Sequence, residues 1–305
     1  MSGHPSSGGA ERFRLVSGAG AGPQAMTQAF NRGFQGYRYA SHFTPVQLAE
    51  FLRLSGVAPE DCTVLLAWEE GRWQGAGVAV LAVEGEEGWC GGLGVAPEHR
   101  RQGWGERLMQ ALHQRARARG VRTLILEVLW DNEPAQRLYH KLGYREEREL
   151  LIWERPARQG ALPVPYERLQ PADPLDVLAR FHVWHDQPPC WQRRASFLRR
   201  SAALMEAYTI PAKDGLPVAY ALCKAGRDPE SGRAYLRIFD VATDPQADVL
   251  MAARPLLQAL QLKYMEADLL LLNEPVESKL NRVFAALGFL VKDRQMEMKR
   301  ELSGE

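Results

Sequence analysis

The stretch Gly91-Gly92-Leu93-Gly94-Val95-Ala96-Pro97-Glu98-His99-Arg100-Arg101-Gln102-Gly103-Trp104-Gly105 constrains the fold of this chain more than any other segment. It reads as a short apolar strand that breaks into a basic, glycine-punctuated turn and opens directly into a helix. Without β-carbons at Gly103 and Gly105, backbone N–H groups can approach a ligand closely. The helix N-terminus behind them contributes partial positive charge, and Arg100 and Arg101 contribute two full charges. The segment therefore demands a strand–turn–helix unit and offers an anion cradle suited to a pyrophosphate.

The neighbouring pattern sets that unit in an α/β (α+β) architecture. Residues 12–17 read as a strand, 24–33 and 45–55 as helices, and 63–68, 75–83 and 88–95 as three short strands of an antiparallel meander. The helix after Gly103 places Trp104, Leu108, Ala111 and Leu112 on one face and ends at Gly120. Residues 122–130 form a buried strand. A short helix follows, with Ala135, Leu138, Tyr139 and Leu142 at i, i+3, i+4, i+7, Pro134 in its first turn and Gly143 stopping it. Residues 145–155 make a closing strand.

The second half echoes the first. Leu108–Leu112 (LMQAL) recurs as Leu256–Leu260 (LLQAL), and Asn132-Glu133-Pro134 as Asn273-Glu274-Pro275. The helix face Ala135, Leu138, Tyr139, Leu142, Gly143 recurs as Leu280, Val283, Phe284, Leu287, Gly288, always 145 residues on. Echoes in the same order argue for a duplicated domain. The expected organisation is a disordered leader at 1–10, a first domain at 11–155, a proline-rich linker at 156–165 and a second domain at 166–302.

Composition bounds the partners. A net charge of +1 gives no global attraction to nucleic acid or to an anionic membrane, so anion binding has to be local. No apolar run approaches the ~20 residues of a membrane span. The four cysteines lack metal-ligand spacing, and no metal is expected; they read as reduced thiols of a cytoplasmic protein.

A strand ending in Leu-Gly-Val, then Arg100-x-x-Gly103-x-Gly105 opening a helix, then a strand, then Asn132-x-x-Ala135-x-x-Leu138-Tyr139-x-x-Leu142-Gly143-Tyr144 resembles the GNAT superfamily of acyl-CoA N-acyltransferases. The resemblance is strong over about 11–155 and faded over about 163–302. It implies two tandem GNAT-like domains, each a mixed, mostly antiparallel sheet flanked by helices. In the first, the strand ending at Leu93 and Val95 would pair with the pantetheine arm of acetyl-CoA, and Gly91-Gly92 suits a bulge there. The resemblance puts the pyrophosphate on the backbone of Arg101, Gln102, Gly103, Trp104 and Gly105 with Arg100 alongside. It also puts Asn132 and Ala135 at the cofactor arm.

It further implies that Tyr139 donates a proton to the leaving thiolate. Glu127, a carboxylate inside the apolar strand Leu124–Leu129, would be the base that deprotonates the incoming amine. The acceptor would enter over Tyr37-Arg38-Tyr39, with Tyr37 and Tyr39 as binding residues. In the second half, Val241–Asp248 has no glycine and carries negative charge, and Phe284 replaces Tyr139. That copy is expected to be degenerate. The implied activity is N-acetyl transfer from acetyl-CoA to a small-molecule primary amine or a peptide N-terminus, by direct attack in a ternary complex, in a monomer or homodimer. The alternative is a non-catalytic acyl-CoA-binding or regulatory protein.

Overall fold

A computed structural model describes residues 12–39, 42–157, 169–228 and 231–302. The expected leader and residues 158–165 of the expected linker lie outside them. The first half runs β1 (Phe13–Ser17), α1 (Gly18–Gly33), α2 (Pro45–Leu54), β2 (Thr63–Glu69), β3 (Arg72–Glu84), β4 (Glu87–Val95), α3 (Trp104–Ala118), β5 (Thr123–Leu129), α4 (Glu133–Lys141) and β6 (Arg145–Arg155). The second half runs β7 (Gln170–Ala172), α5 (Pro174–Phe181), α6 (Ala195–Ser201), β8 (Glu206–Pro211), β9 (Pro217–Arg227), β10 (Ala234–Thr243), α7 (Val249–Lys263), β11 (Asp268–Pro275), α8 (Leu280–Ala286) and β12 (Leu290–Glu301). The order of strands and α-helices is the same in both halves, so the duplication is visible element by element.

The residues gather into two compact units that interleave along the chain. One holds the described residues of Met1–Leu126, with Arg137–Arg145 and the residues from Lys299 on; the other holds Glu127–Gln136 and Glu146–Met298. In the first unit β1, β2, β3 and β4 pair antiparallel in sequence order, the expected meander. β5 then joins β4 in parallel, over Glu87–Trp89 with Thr123–Ile125. Leu108, Met109 and Leu112 of α3 are completely buried, as are Leu65 of β2 and Leu81 of β3. Each such side chain contributes roughly 1.5–3 kcal/mol through burial.

In the second unit β7, β8, β9 and β10 pair antiparallel, and β10 pairs in parallel with β11. β11 in turn takes β6 as its antiparallel neighbour, from Leu269↔Arg155 to Pro275↔Leu150. The closing strand of the first half, from Glu146 on, thus belongs to the second unit. Two apolar clusters fill this unit. One is built on Leu256, Leu257, Val283 and Phe284 of α7 and α8, the other on Val177, Leu178 and Leu198 of α5 and α6. Each half is therefore a mixed, mostly antiparallel α/β fold. Among the described residues no helix is long and apolar enough to cross a membrane.

Two local expectations need correction. The first helix starts at Gly18, not Gln24, because the Ser17 hydroxyl accepts the Gly20 N–H and caps an extra turn. Gly22, at φ 77°, then breaks the helical path just ahead of Pro23. The Asn-Glu-Pro echo is also not a structural one. Asn132-Glu133-Pro134 leads into α4, whereas Asn273-Glu274-Pro275 is the end of strand β11.

Candidate active site

After β4 the chain makes a 3-10 turn at Pro97–His99 and enters two left-handed positions, Arg101 at φ 59° and Gly103 at φ 83°. A β-carbon at Gly103 would meet nothing within 4 Å, so the glycine is required by its backbone angle and not by crowding. No side chain caps α3 at this position, and the first helical bond is Arg107 N–H to Gly103 O at 3.1 Å. The amides of the first turn therefore have no helical acceptor and point out of the positive end of the helix dipole. A diphosphate fits such a terminus.

The two arginines differ. Arg100 donates from Nε to Val95 O at 2.8 Å and from its guanidinium to Gln35 O at 2.8 Å, tying the strand end to the loop after α1. Arg101 is exposed and makes no hydrogen bond or ion pair among the described residues. Gln102 is also exposed and donates to Glu98 O at 3.1 Å. Trp104 lies 4.6 Å from the Phe13 ring and under the Arg107 guanidinium at 4.7 Å. Gly105 faces α4: a β-carbon there would be 3.3 Å from Leu138 Cδ2.

β4 carries the expected bulge. Val80 pairs with Gly92 and Leu81 with Cys90, leaving Gly91 as the extra residue. Leu93 and Val95, half-buried, continue beyond the last β5 partner, Trp89↔Ile125. Gly94 meets the C-terminus of α1 backbone to backbone, where a β-carbon would be 2.7 Å from the Gly33 carbonyl carbon. From there Phe34 covers Gly92, Tyr37 meets Phe34 at 5.8 Å, and Tyr39 meets Tyr37 at 6.4 Å.

Tyr139 is buried at 6% exposure, its ring 5.7 Å from that of Tyr144. Burial pushes its phenol well above the usual range, and Cys90 and Tyr37 push it further in the same direction. The structure thus brings Tyr37 and Tyr139 into one electrostatic neighbourhood, and Cys90 joins them without a sequence signal to mark it. Asn132 caps α4: its main-chain oxygen accepts from Ala135 and Gln136 at 3.1 Å, and its side-chain oxygen lies 3.4 Å from Ala135 N. Ala135 is half-buried. Glu127 is half-buried on β5 with Oε1 fully enclosed. Glu127 acts electrostatically on the buried Cys190 thiol, which burial first and Glu127 second push up to about 12. Tyr139 belongs to the first compact unit; Glu127, Asn132 and Ala135 belong to the second.

One cluster has metal-ligand chemistry: atoms of Glu69, Glu98 and His99 lie within 4.8 Å of one another. Arg32 donates to both carboxylates, and His99 Nε2 is 2.7 Å from Glu69 Oε1. A guanidinium already supplies the positive charge there.

The second half differs at each corresponding feature. Asp248 caps α7 by accepting the Met251 N–H at 3.0 Å, so a carboxylate of the chain occupies that helix terminus. The bulge of β10 falls between Ile238 and Asp240, which places the bulky Phe239 where β4 has Gly91. Where parallel pairing of β10 with β11 ends, at Ile238↔Leu271, the buried Arg193 guanidinium bridges the two strands. It binds Asp240 of β10 at 3.0 Å and Glu274 of β11. Phe284 is completely buried among apolar rings, 5.7 Å from Trp153 and 5.3 Å from Phe289.

Residues 24–144 match the family model of the acetyltransferase (GNAT) family. Over 71 residues the chain is 38% identical to the ribosomal protein bS18-alanine N-acetyltransferase of Escherichia coli strain K12, a match covering 23% of this chain and 48% of that one. The chain thus spans about half the length of this curated relative. Two solved structures share the fold along nearly the whole chain. A GCN5-related N-acetyltransferase from Sphaerobacter thermophilus aligns with a TM-score of 0.64 at 16% identity, covering 96% of each chain. A tandem GNAT protein from the clavulanic acid biosynthesis pathway aligns with a TM-score of 0.63 at 17% identity, covering 96% of this chain and 99% of that one. Residues 24–144, which hold the glycine turn at the head of α3, thus match the GNAT acetyltransferase family, and the chain along nearly its whole length shares the duplicated fold of a tandem GNAT structure.

Proposed function

We propose that the protein is an acetyl-CoA-dependent N-acetyltransferase with a single cofactor site, built on the first repeat at 11–155. The observation that carries this reading is the contrast between two helix termini: Gly103 leaves the amides of α3 open, whereas Asp248 fills the same place on α7. Arg101, Gln102, Gly103, Trp104 and Gly105 would hold the diphosphate, and Arg100 would fix the turn by its bonds to Val95 and Gln35. The strand beyond the Gly91 bulge, at Leu93 and Val95, would offer backbone groups to the pantetheine arm, and the family resemblance adds Asn132 and Ala135 to the residues that would hold the cofactor. Bound acetyl-CoA supplies the thioester that acylates the amine.

The chain supplies the proton chemistry. Glu127 would accept the proton of the incoming ammonium, giving a neutral nucleophile. Attack forms the C–N bond, the C–S bond breaks, and the Tyr139 phenol would give its proton to the departing sulfur. The raised proton affinity of Tyr139 keeps it protonated at neutral pH. Tyr37 and Tyr39 would border the acceptor. A peptide N-terminus and a small-molecule primary amine are both acceptors of this chemistry, and the E. coli relative supports the first. We place the reaction in the cytoplasm.

The test is thiol release from acetyl-CoA with a peptide beginning in alanine and with a panel of small primary amines. Turnover that falls in Tyr139→Phe supports the proposal. Binding of acetyl-CoA without release for any acceptor indicates a non-catalytic binder instead.

A further inference from the structure

We propose that Arg300, on the last strand of the chain, is a positioning residue for Tyr139, acting through His113 and Tyr144. This rests on Tyr139 as proton donor in the reading above. Arg300 lies in the same compact unit as the other three. Its guanidinium donates to Leu142 O, just past the end of α4, and stands 3.3 Å from His113 Nδ1.

An arginine has only donors, so His113 Nδ1 is the acceptor and the ring proton sits on Nε2. Nε2 is 3.0 Å from the Tyr144 hydroxyl, which it therefore meets as a donor. Tyr144 is 2% exposed, and its ring stands edge-on to Tyr139 at an interplanar angle of 60°. Its amide also donates to Tyr139 O at 3.0 Å. The series fixes one tautomer, one phenol and one ring face in turn.

His113, Tyr144 and Tyr139 are buried and Arg300 is half-buried, and the polar groups among them need partners that α/β packing alone does not supply. A histidine at 3% exposure on α3 costs desolvation unless both nitrogens find partners, and here they do. Burial, with Arg300 and Arg117 adding repulsion, brings His113 down to about 4 and keeps it neutral. A neutral imidazole in a fixed tautomer orients its neighbours without carrying charge toward the phenol. The other groups facing Tyr139 are Cys90 and Tyr37. Arg300 also grips the end of the helix that carries Tyr139, so one guanidinium sets both the helix end and the ring beside the phenol.

The variants are Arg300→Ala, Arg300→Lys and Tyr144→Phe, the last removing one hydroxyl and keeping the ring. The first readout needs no cofactor: NMR of isotope-labelled tyrosine, with the Tyr139 signal identified by its loss in Tyr139→Phe. Arg300→Ala and Tyr144→Phe are expected to move that signal, and Arg300→Lys to return it toward wild type. The second is thiol release from acetyl-CoA with the alanine peptide. Arg300→Ala should lower kcat about tenfold with little change in KM for acetyl-CoA, and should add no further loss on Tyr139→Phe. An unmoved Tyr139 signal in both Arg300→Ala and Tyr144→Phe overturns the proposal, as does full additivity with Tyr139→Phe. A Tyr139→Phe variant with wild-type turnover overturns the donor reading itself, a result separable from the NMR arm.

Discussion

Asp248 Oδ1 accepts the Met251 N–H at 3.0 Å, closing the N-terminus of α7, whereas Gly103 at the head of α3 brings no side chain to the equivalent place. The duplication has produced two similar helices with opposite electrostatic invitations. One terminus is open to an external anion. The other has its anion built in.

Gly103 has a positive φ of 83°, an angle any L-residue adopts at a cost of roughly 1–2 kcal/mol. Gly103→Ala is expected to lower the unfolding free energy by about that amount in denaturant titration. Its larger effect should be on affinity for CoA, since the cradle depends on that angle.

Gly94 is a different case. Its α-carbon faces the Gly33 carbonyl carbon, and a β-carbon would lie 2.7 Å away against backbone that no rotamer change can move. Gly94→Ala should destabilise by about 1–3 kcal/mol, the usual cost of overpacking. Urea denaturation at constant m-value checks it.

Arg193 is enclosed with Asp240 and Glu274, and removing it leaves two buried carboxylates without their guanidinium. Arg193→Ala should cost about 3–5 kcal/mol, the range for breaking a buried pair. The network also predicts an acid limit. Burial alone would raise Asp240, but His185 and Arg193 overcome it and bring the carboxyl down to about 2. A depressed carboxylate stabilises the fold above its unfolded value of about 4. Stability is then lost as pH falls from there toward 2, and thermal melts across that range should show the decline.

His113 predicts a second, higher window. Its folded value, about 4, lies below the 6.5 of a free imidazole, so the unfolded chain binds the extra proton first. The contribution is complete above 6.5 and disappears as pH falls toward 4. His113→Gln should flatten the slope of stability against pH between those values.

Much of this was legible in the sequence because it rests on local rules. Gly103 before an amphipathic run, Gly143 after one, and three short apolar stretches between turns specify elements without reference to anything distant. The repeat was legible as well, although the Asn273-Glu274-Pro275 echo misled: three matching residues say nothing of whether a strand or a turn surrounds them. Long-range charge pairing was not legible. Arg193 bonds residues 47 and 81 positions away, and Arg300 reaches His113 across 187. An arginine reads as surface until its partners are placed. The bonds of Arg100 to Val95 O and Gln35 O were hidden likewise, since backbone carbonyls leave no trace in composition.

The proposed cofactor site is single and lies at the head of α3. Calorimetric titration of the full chain with acetyl-CoA tests it most directly, with Gly103→Val as the comparison. One site per chain, its affinity greatly weakened in the variant, is the predicted result. Two sites per chain, or one that the variant leaves untouched, would contradict it.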